Sequence, residues 1–175
     1  MIGNHKVILI AAVDNNWAIG KGNKLPWHIP SDLKFFNSVT LGNYVVYGYN
    51  TLQSLPHSSP LQNRENIILT TKDLHIDSSN AHVAHSVDEV ISMLESRENC
   101  NDVYIAGGQS IYKQFFQYCD HALITKVQIE VEGADAYMLN LDNMPNCEEL
   151  DHVISTTENG MNIEFHMYKI HKPEK

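Results

Sequence analysis

The sequence predicts an α/β fold: a mostly parallel central sheet of about eight strands, helices on both faces, and a C-terminal antiparallel hairpin. Three observations carry this expectation. Continuous apolar runs alternate with segments of helical periodicity, the pattern of strands covered by helices on both faces. The last two apolar stretches flank Asn159-Gly160, a dipeptide suited to the φ > 0 positions of a tight hairpin turn. The chain has 175 residues, 43% of them apolar, which suits one core and leaves hardly any room for a second, so residues 1–175 read as a single domain.

The elements follow in order. Val7–Val13 (VILIAAV) is apolar throughout and reads as a fully buried strand. Residues 14–30 are rich in Gly, Asn and Pro and read as a loop. Residues 31–40 read as a helix, with Pro30 and Ser31 at its start, Asp32 in the first turn, and Leu33, Phe36 and Val39 at helical spacing. A strand at 44–47, a helical turn at 51–55, and strands at 66–70 and 81–84 come next. Ser86 caps a helix to about 96, with Val87, Val90, Ile91 and Leu94 on one face. A strand at 103–106 ends in Gly107-Gly108, followed by a helix over 110–118. Strands over 121–131, 149–157 and 162–170 complete the chain. Ligands of such sheets sit outside the carboxyl ends of the strands, which directs attention to 14–32, 48–54, 70–72 and 106–112.

Composition narrows the function. Against 12 Lys and Arg stand 21 Asp and Glu, a net charge of −9. That disfavours general nucleic-acid binding, which needs a basic surface to displace counterions, and attachment to anionic membranes. An anionic ligand therefore needs a local cluster of positive groups. A planar guanidinium fork is available from two residues alone, Arg64 and Arg97. The three Cys (100, 119, 147) form no CxxC, which fits a reducing compartment. The run at 7–13 is too short to span a bilayer and lacks the flanks of a signal peptide, so a cytoplasmic protein is expected. Ten His invite a metal, but His82 and His85, three apart in an extended segment, point to opposite faces, and no HExxH occurs. No metal site is expected.

The segment 19–33 is the richest in chemistry. A loop this long is usually functional or disordered, and Trp27 with two prolines argues against disorder; a lid over 18–24, hinged by glycines, competes with an ordinary surface loop. Asp32 reads either as a first-turn acid satisfying the helix dipole or as a carboxylate in an aromatic pocket with Trp27 and Phe36. Gly107-Gly108 at a helix start can present N–H groups to a phosphate, or can be a tight turn. Arg64 can clamp a carboxylate or pair with a surface acid.

Together these segments resemble dihydrofolate reductase over most of the chain, roughly from Val7 to Tyr168. The most specific stretch is Ile19-Gly20-x4-Leu25-Pro26-Trp27-x2-Pro30-x-Asp32-Leu33-x2-Phe36. It is supported by Gly48-x2-Thr51-x2-Ser54, Arg64-x-Asn66-Ile67-Ile68-Leu69, Gly107-Gly108-x3-Tyr112 and Thr125. The resemblance implies reduction of 7,8-dihydrofolate to tetrahydrofolate with a hydride from NADPH. It implies that Asp32 binds the 2-amino and N3 edge of the pterin and favours a proton on N5, drawn from solvent. Trp27 would act through an ordered water and Thr125 would steady Asp32. On the substrate side it places Ile10, Ala11, Phe36, Ser54, Leu61 and Ala106, with Arg64 on the α-carboxylate of the glutamate tail. On the cofactor side it places Ala12, Ile19, Gly20, Gly48, Tyr49, Asn50, Thr51, Leu69, Thr70, Thr71, Lys72 and His85. Gly107, Gly108, Gln109, Ser110, Ile111 and Tyr112 follow, with a cis peptide between the two glycines. The implied ligands are dihydrofolate and antifolate inhibitors, and a monomer is expected.

The chain departs from the family pattern in places. A basic residue, most often Arg, usually follows the glycine of Gly-x-x-Thr and holds cofactor phosphate; here it is Tyr49. Ser110 likewise supplies no Arg, leaving Thr70, Thr71, Lys72 and His85 for the 2′-phosphate. A relaxed preference for NADPH over NADH is therefore expected. Tyr47 stands where Met is common, and Ala106 where a bulkier aliphatic is. No proline follows Asp135–Met138, and 139–147 is longer than usual. Two rivals share the fold: a reductase of riboflavin biosynthesis, which lacks the Leu-Pro-Trp loop and the acid at position 32, and a non-catalytic pterin- or nucleotide-binding relative.

Overall fold

The computed structural model describes residues 1–22, 26–158 and 160–174. Asn23, Lys24 and Leu25, part of the expected lid and of the Leu-Pro-Trp motif, lie outside the described residues, as does Asn159 of the hairpin dipeptide.

One eight-stranded sheet organises the chain. Its strands are β1 (Val7–Val13), β3 (Tyr44–Gly48), β4 (Glu65–Leu69), β5 (Ala81–Ala84), β6 (Val103–Ile105), β7 (His121–Val127), β9 (Cys147–Glu158) and β10 (Met161–Ile170). Two further strands, β2 (Ala18–Gly20) and β8 (Ala136–Tyr137), pair separately. The helices are α1 (Pro30–Thr40), α2 (Tyr49–Ser54), α3 (Val87–Glu95) and α4 (Gln109–Phe115). The order across the large sheet is β5-β4-β3-β6-β1-β7-β10-β9. Pairing is parallel up to β7, and β10 then runs antiparallel to both β7 and β9. The expected architecture is the observed one.

Alternation along β1 explains why its sequence is apolar at every position. Val7, Leu9, Ala11 and Val13 enter one cluster with Val90 and Leu94 of α3 and Ile111 and Phe115 of α4. Ile8 and Ile10 enter another, against Phe35, Phe36 and Val39 of α1. Helices thus cover both faces, and the central strand has no solvent side. Each such fully buried aliphatic side chain stabilises the fold by about 1.5–3 kcal/mol relative to exposure. Among the described residues no helix is long and apolar enough to cross a membrane.

The structure corrects three boundaries. The stretch read as a plain loop contains β2, which pairs with β8 in the register Ala18 to Tyr137 and Gly20 to Ala136. The strand expected to reach 131 stops at Val127, because Ile129 N–H turns back to Val127 O (2.8 Å) and Val131 N–H goes to Asp14 Oδ2 (2.8 Å). The helix expected over 110–118 is α-helical to Phe115 and 3₁₀ from Phe116 to Tyr118. The cap at Ser86 is as expected: its hydroxyl accepts from Glu89 N–H (3.1 Å), and Glu89 reaches back to His85 N–H (2.8 Å). The long segment before β9 is anchored rather than looped out, with Leu141 buried and Asp142 bonded to Lys126 and Tyr168.

Candidate active site

A cleft of about 1080 Å³ opens at the carboxyl ends of the parallel strands. That exceeds the range of about 300–1000 Å³ for one small-molecule site. It runs past β1 (Ile10, Ala11, Ala12), β2 (Ile19, Gly20), α1 (Asp32, Phe36), the β3–α2 junction (Gly48, Tyr49, Asn50, Thr51, Ser54) and Leu61. The far end is formed by Leu69, Thr70, Thr71, Lys72 and His85, and by the β6–α4 junction from Ala106 to Tyr112.

Among the described residues Asp32 is the one acid on the cleft wall. The helix start it belongs to has Pro30 in its first turn and no side-chain cap. Its carboxylate instead turns across to the sheet, where Thr125 Oγ1 donates to Oδ1 at 2.6 Å. Thr125 is buried on β7 and does not itself line the cleft. Burial pushes the Asp32 carboxyl above the usual carboxylate range, and the Thr125 bond opposes that in part. One oxygen of Asp32 is held by a buried hydroxyl, and the second has no hydrogen-bond partner among the described residues.

Gly107 and Gly108 are joined by a cis peptide. Gly107 has φ +106°, and a Cβ there would meet the Tyr112 hydroxyl at 3.1 Å, so only glycine fits. That hydroxyl donates to Ile10 O (2.7 Å) and ties the start of α4 to the central strand. Neither α2 nor α4 has a side-chain cap: Gly48 and Gly108 stand at their N-caps, and both line the cleft. First-turn N–H groups at two helix starts are suited to an anionic ligand. The β1–β2 loop is set by buried Asp14, whose Oδ1 accepts from the N–H groups of Asn16 and Ala18, both at 2.8 Å. Gln109 Oε1 accepts from Tyr137 N–H (3.0 Å) and links α4 to β8, the partner of the strand that carries Gly20.

At the far end Lys72 Nζ lies 4.5 Å from the centre of the Tyr49 ring. His85 Nδ1 contacts Thr70 O at 2.7 Å. Ser86 and Lys113 line the cleft as well. Sequence reasoning missed these two, together with Leu33, Val45, Tyr47, Leu55, Gln114 and Ala136. Lys113 sits one helical turn after Gln109, a spacing that could have revealed it. Tyr47 donates to Asn66 Oδ1 (2.8 Å) and is buried, so no exposed-residue signal marked it.

Besides Thr125, two further expected site residues stand behind the lining. Trp27 does not share a pocket with Asp32 and Phe36; it packs with Ile29, Val127 and Ile163. Its Nε1 is buried with no hydrogen-bond partner among the described residues. Arg64 is buried too. Its guanidinium donates to Thr40 Oγ1 (3.1 Å), Gln62 O (2.7 Å), Asn37 O (3.1 Å) and Asn37 Oδ1 (2.9 Å). No carboxylate pairs with it among the described residues, and burial lowers its pKa. Of its five N–H groups, one is left for another acceptor.

The family model described as dihydrofolate reductase matches residues 6–170. A dihydrofolate reductase of Staphylococcus haemolyticus is 32% identical over 165 residues, covering 94% of this chain and 95% of its own. One from Neisseria meningitidis is 37% identical over 137 residues, covering 78% and 81%. A solved dihydrofolate reductase from Enterococcus faecalis, complexed with NADP(H) and RAB-propyl, superposes with a TM-score of 0.83 at 28% identity. It covers 97% of this chain and 99% of that one.

Proposed function

The chain belongs to the dihydrofolate reductase family, and on that premise we propose how its own residues reduce dihydrofolate with NADPH. The observation that carries the proposal is Asp32 on the cleft wall, held from behind by buried Thr125. Asp32 Oδ2 accepts from the 2-amino and N3 edge of the pterin, while Thr125 holds Oδ1. Held there, the negative charge favours a proton on N5, which makes the adjacent C6 a better acceptor. The proton comes from solvent. Trp27 acts at one remove, its Nε1, without a partner among the described residues, donating to an ordered water beside Asp32. Phe36 and Leu61 cover the middle of the substrate, and the free N–H of Arg64 takes the α-carboxylate of the glutamate tail.

The cofactor residues fit a dinucleotide phosphate. The two helix starts at Gly48 and Gly108 offer N–H groups to a diphosphate, and both line the same cleft as Asp32. When bound, NADPH supplies the hydride. Ile19 and Gly20 border the nicotinamide, and Ala12 and Ala106 border the nicotinamide and pterin with backbone groups. Thr70, Thr71, Lys72 and His85 meet the 2′-phosphate. No Arg lines the cleft among the described residues, and this supports a relaxed preference for NADPH over NADH. The same sheet carries both ends of the cleft, which supports reading 1–175 as one domain.

The test follows oxidation of NADPH at its absorbance band. Signal loss that needs dihydrofolate is expected. Folded protein that binds methotrexate but turns over neither NADPH nor NADH would favour the non-catalytic reading instead.

A further inference from the structure

We propose that Glu149, His152 and His166, on the C-terminal hairpin and outside the cleft, form a binding site for one zinc ion. Their ligand atoms all lie within 4.8 Å of one another. His152 Nδ1 stands 4.0 Å from Glu149 Oε1, which His166 Nδ1 contacts directly. His152 and His166 are cross-strand partners in the β9–β10 register, their rings 5.3 Å apart and 18° from parallel.

A β-bulge assembles the set. In a regular strand residues 149 and 152 point to opposite faces. Here Met167 pairs with Asp151 and Tyr168 with Glu149, so Leu150 is the extra residue and Glu149 returns to the face of His152.

The surroundings of His166 favour a ligand role over a surface ion pair. The ring is buried. Its Nε2 is held by Glu164 Oε2 at 2.8 Å, and Glu164 is held in turn by Gln128 Nε2 at 2.7 Å. A carboxylate behind the ring fixes the tautomer that leaves Nδ1 as the ligand atom, the usual support of a metal-bound histidine. Zinc then takes the place of the Nδ1 proton, which leaves to solvent. Tetrahedral zinc needs bonds of about 2.0–2.1 Å, so the ligand atoms must draw closer. Both side chains that must move, Glu149 and His152, are exposed, while His166 is not. Two imidazoles and a carboxylate suit zinc, with water in the fourth position. The net charge of −9 favours a cation, and Glu164 adds a second carboxylate against the ring of His166. Such an ion would clasp β9 to β10.

Metal-free protein titrated with zinc chloride by calorimetry should take up one equivalent. Zinc at about a hundredfold above its Kd should raise Tm by about 5 °C or more. Cobalt(II) in its place should give the ligand-field absorption of a nitrogen–oxygen site. His152→Ala and Glu149→Gln, both exposed, should abolish or sharply weaken uptake while leaving dihydrofolate turnover intact. Glu164→Gln should weaken it about 10- to 100-fold. Absence of uptake, or uptake undiminished in both His152→Ala and Glu149→Gln, overturns the site. Neither result bears on the reductase assignment.

Discussion

The two ends of the cleft solve recognition in opposite ways. Around Asp32 the wall is apolar, with Ile10, Phe36 and Leu61, and its one carboxylate is desolvated and tied to a buried hydroxyl. Around Lys72 the wall is polar and open: Asn50, Thr71, Lys72, His85 and Ser110 are all exposed, and helix starts supply N–H groups. A desolvated charge acts through a low dielectric, so one group carries several kcal/mol; an exposed cation is screened and carries about 1 kcal/mol or less. Single substitutions should therefore be severe at the first end and mild at the second.

The largest effect is expected at Asp32. Asp32→Asn keeps the shape and an acceptor for Thr125 but removes the charge. Its kcat/KM at pH 7 should fall about a thousandfold, about 4 kcal/mol of transition-state stabilisation, with partial recovery at low pH. Full activity at pH 7 would remove Asp32 from its role. Stability should move the other way. Burial raises the folded carboxyl above its unfolded value near 3.8, so the folded state holds the proton more readily. The stability this contributes is complete below the unfolded value and is lost as pH rises through the folded one. At pH 7 the ionised buried carboxylate is therefore a cost. Asp32→Asn should melt higher than the unaltered protein at pH 7, and the two should converge as pH falls toward the unfolded value. Thermal scans across that interval check the sign.

The next effect tests Arg64, a guanidinium buried among carbonyls with no acid paired to it among the described residues. Arg64→Lys keeps the charge but loses the planar fork. KM for dihydrofolate should rise about a hundredfold, about 2.7 kcal/mol, with kcat little changed. A substrate truncated before its glutamate should show no such rise. An equal rise with both substrates would mean that Arg64 only braces α1 against residue 62.

What was legible in the sequence divides along the same line. The central strands could be read because burial on both faces writes continuous apolar runs; at Asp32 the residues alone left two readings open, and only the resemblance gave it a role. The β2–β8 pair could not: three residues pair with two that lie over a hundred positions away, with no periodicity to mark them. Trp27 was read into one pocket with Asp32 and Phe36, but it packs with Ile29, Val127 and Ile163, behind the cleft lining. The alternation rule that separated His82 from His85 would also have separated Glu149 from His152. The bulge at Leu150 that reunites them depends on cross-strand register, which no local pattern records.

The smallest effect is the one that most sharpens the comparison. Tyr49 stands at the open end with Lys72 above its ring, and no other side-chain cation shares that contact among the described residues. If recognition of the 2′-phosphate rests on one screened ammonium and a few hydroxyls, the unaltered protein should prefer NADPH over NADH by well under a thousandfold in kcat/KM, a gap of about 4 kcal/mol. Rising salt should narrow the preference further, because exposed charges separated by about a Debye length are screened. Tyr49→Arg adds a fork that can hold a phosphate by two bonds, at the loss of the ring beneath Lys72. The NADPH:NADH ratio should rise about tenfold, about 1.4 kcal/mol, through KM for NADPH. Dihydrofolate kinetics at the closed end should stay unchanged. A ratio near a thousandfold in the unaltered protein would mean that this end holds its phosphate as firmly as the other holds its pterin, and the contrast between them would fail.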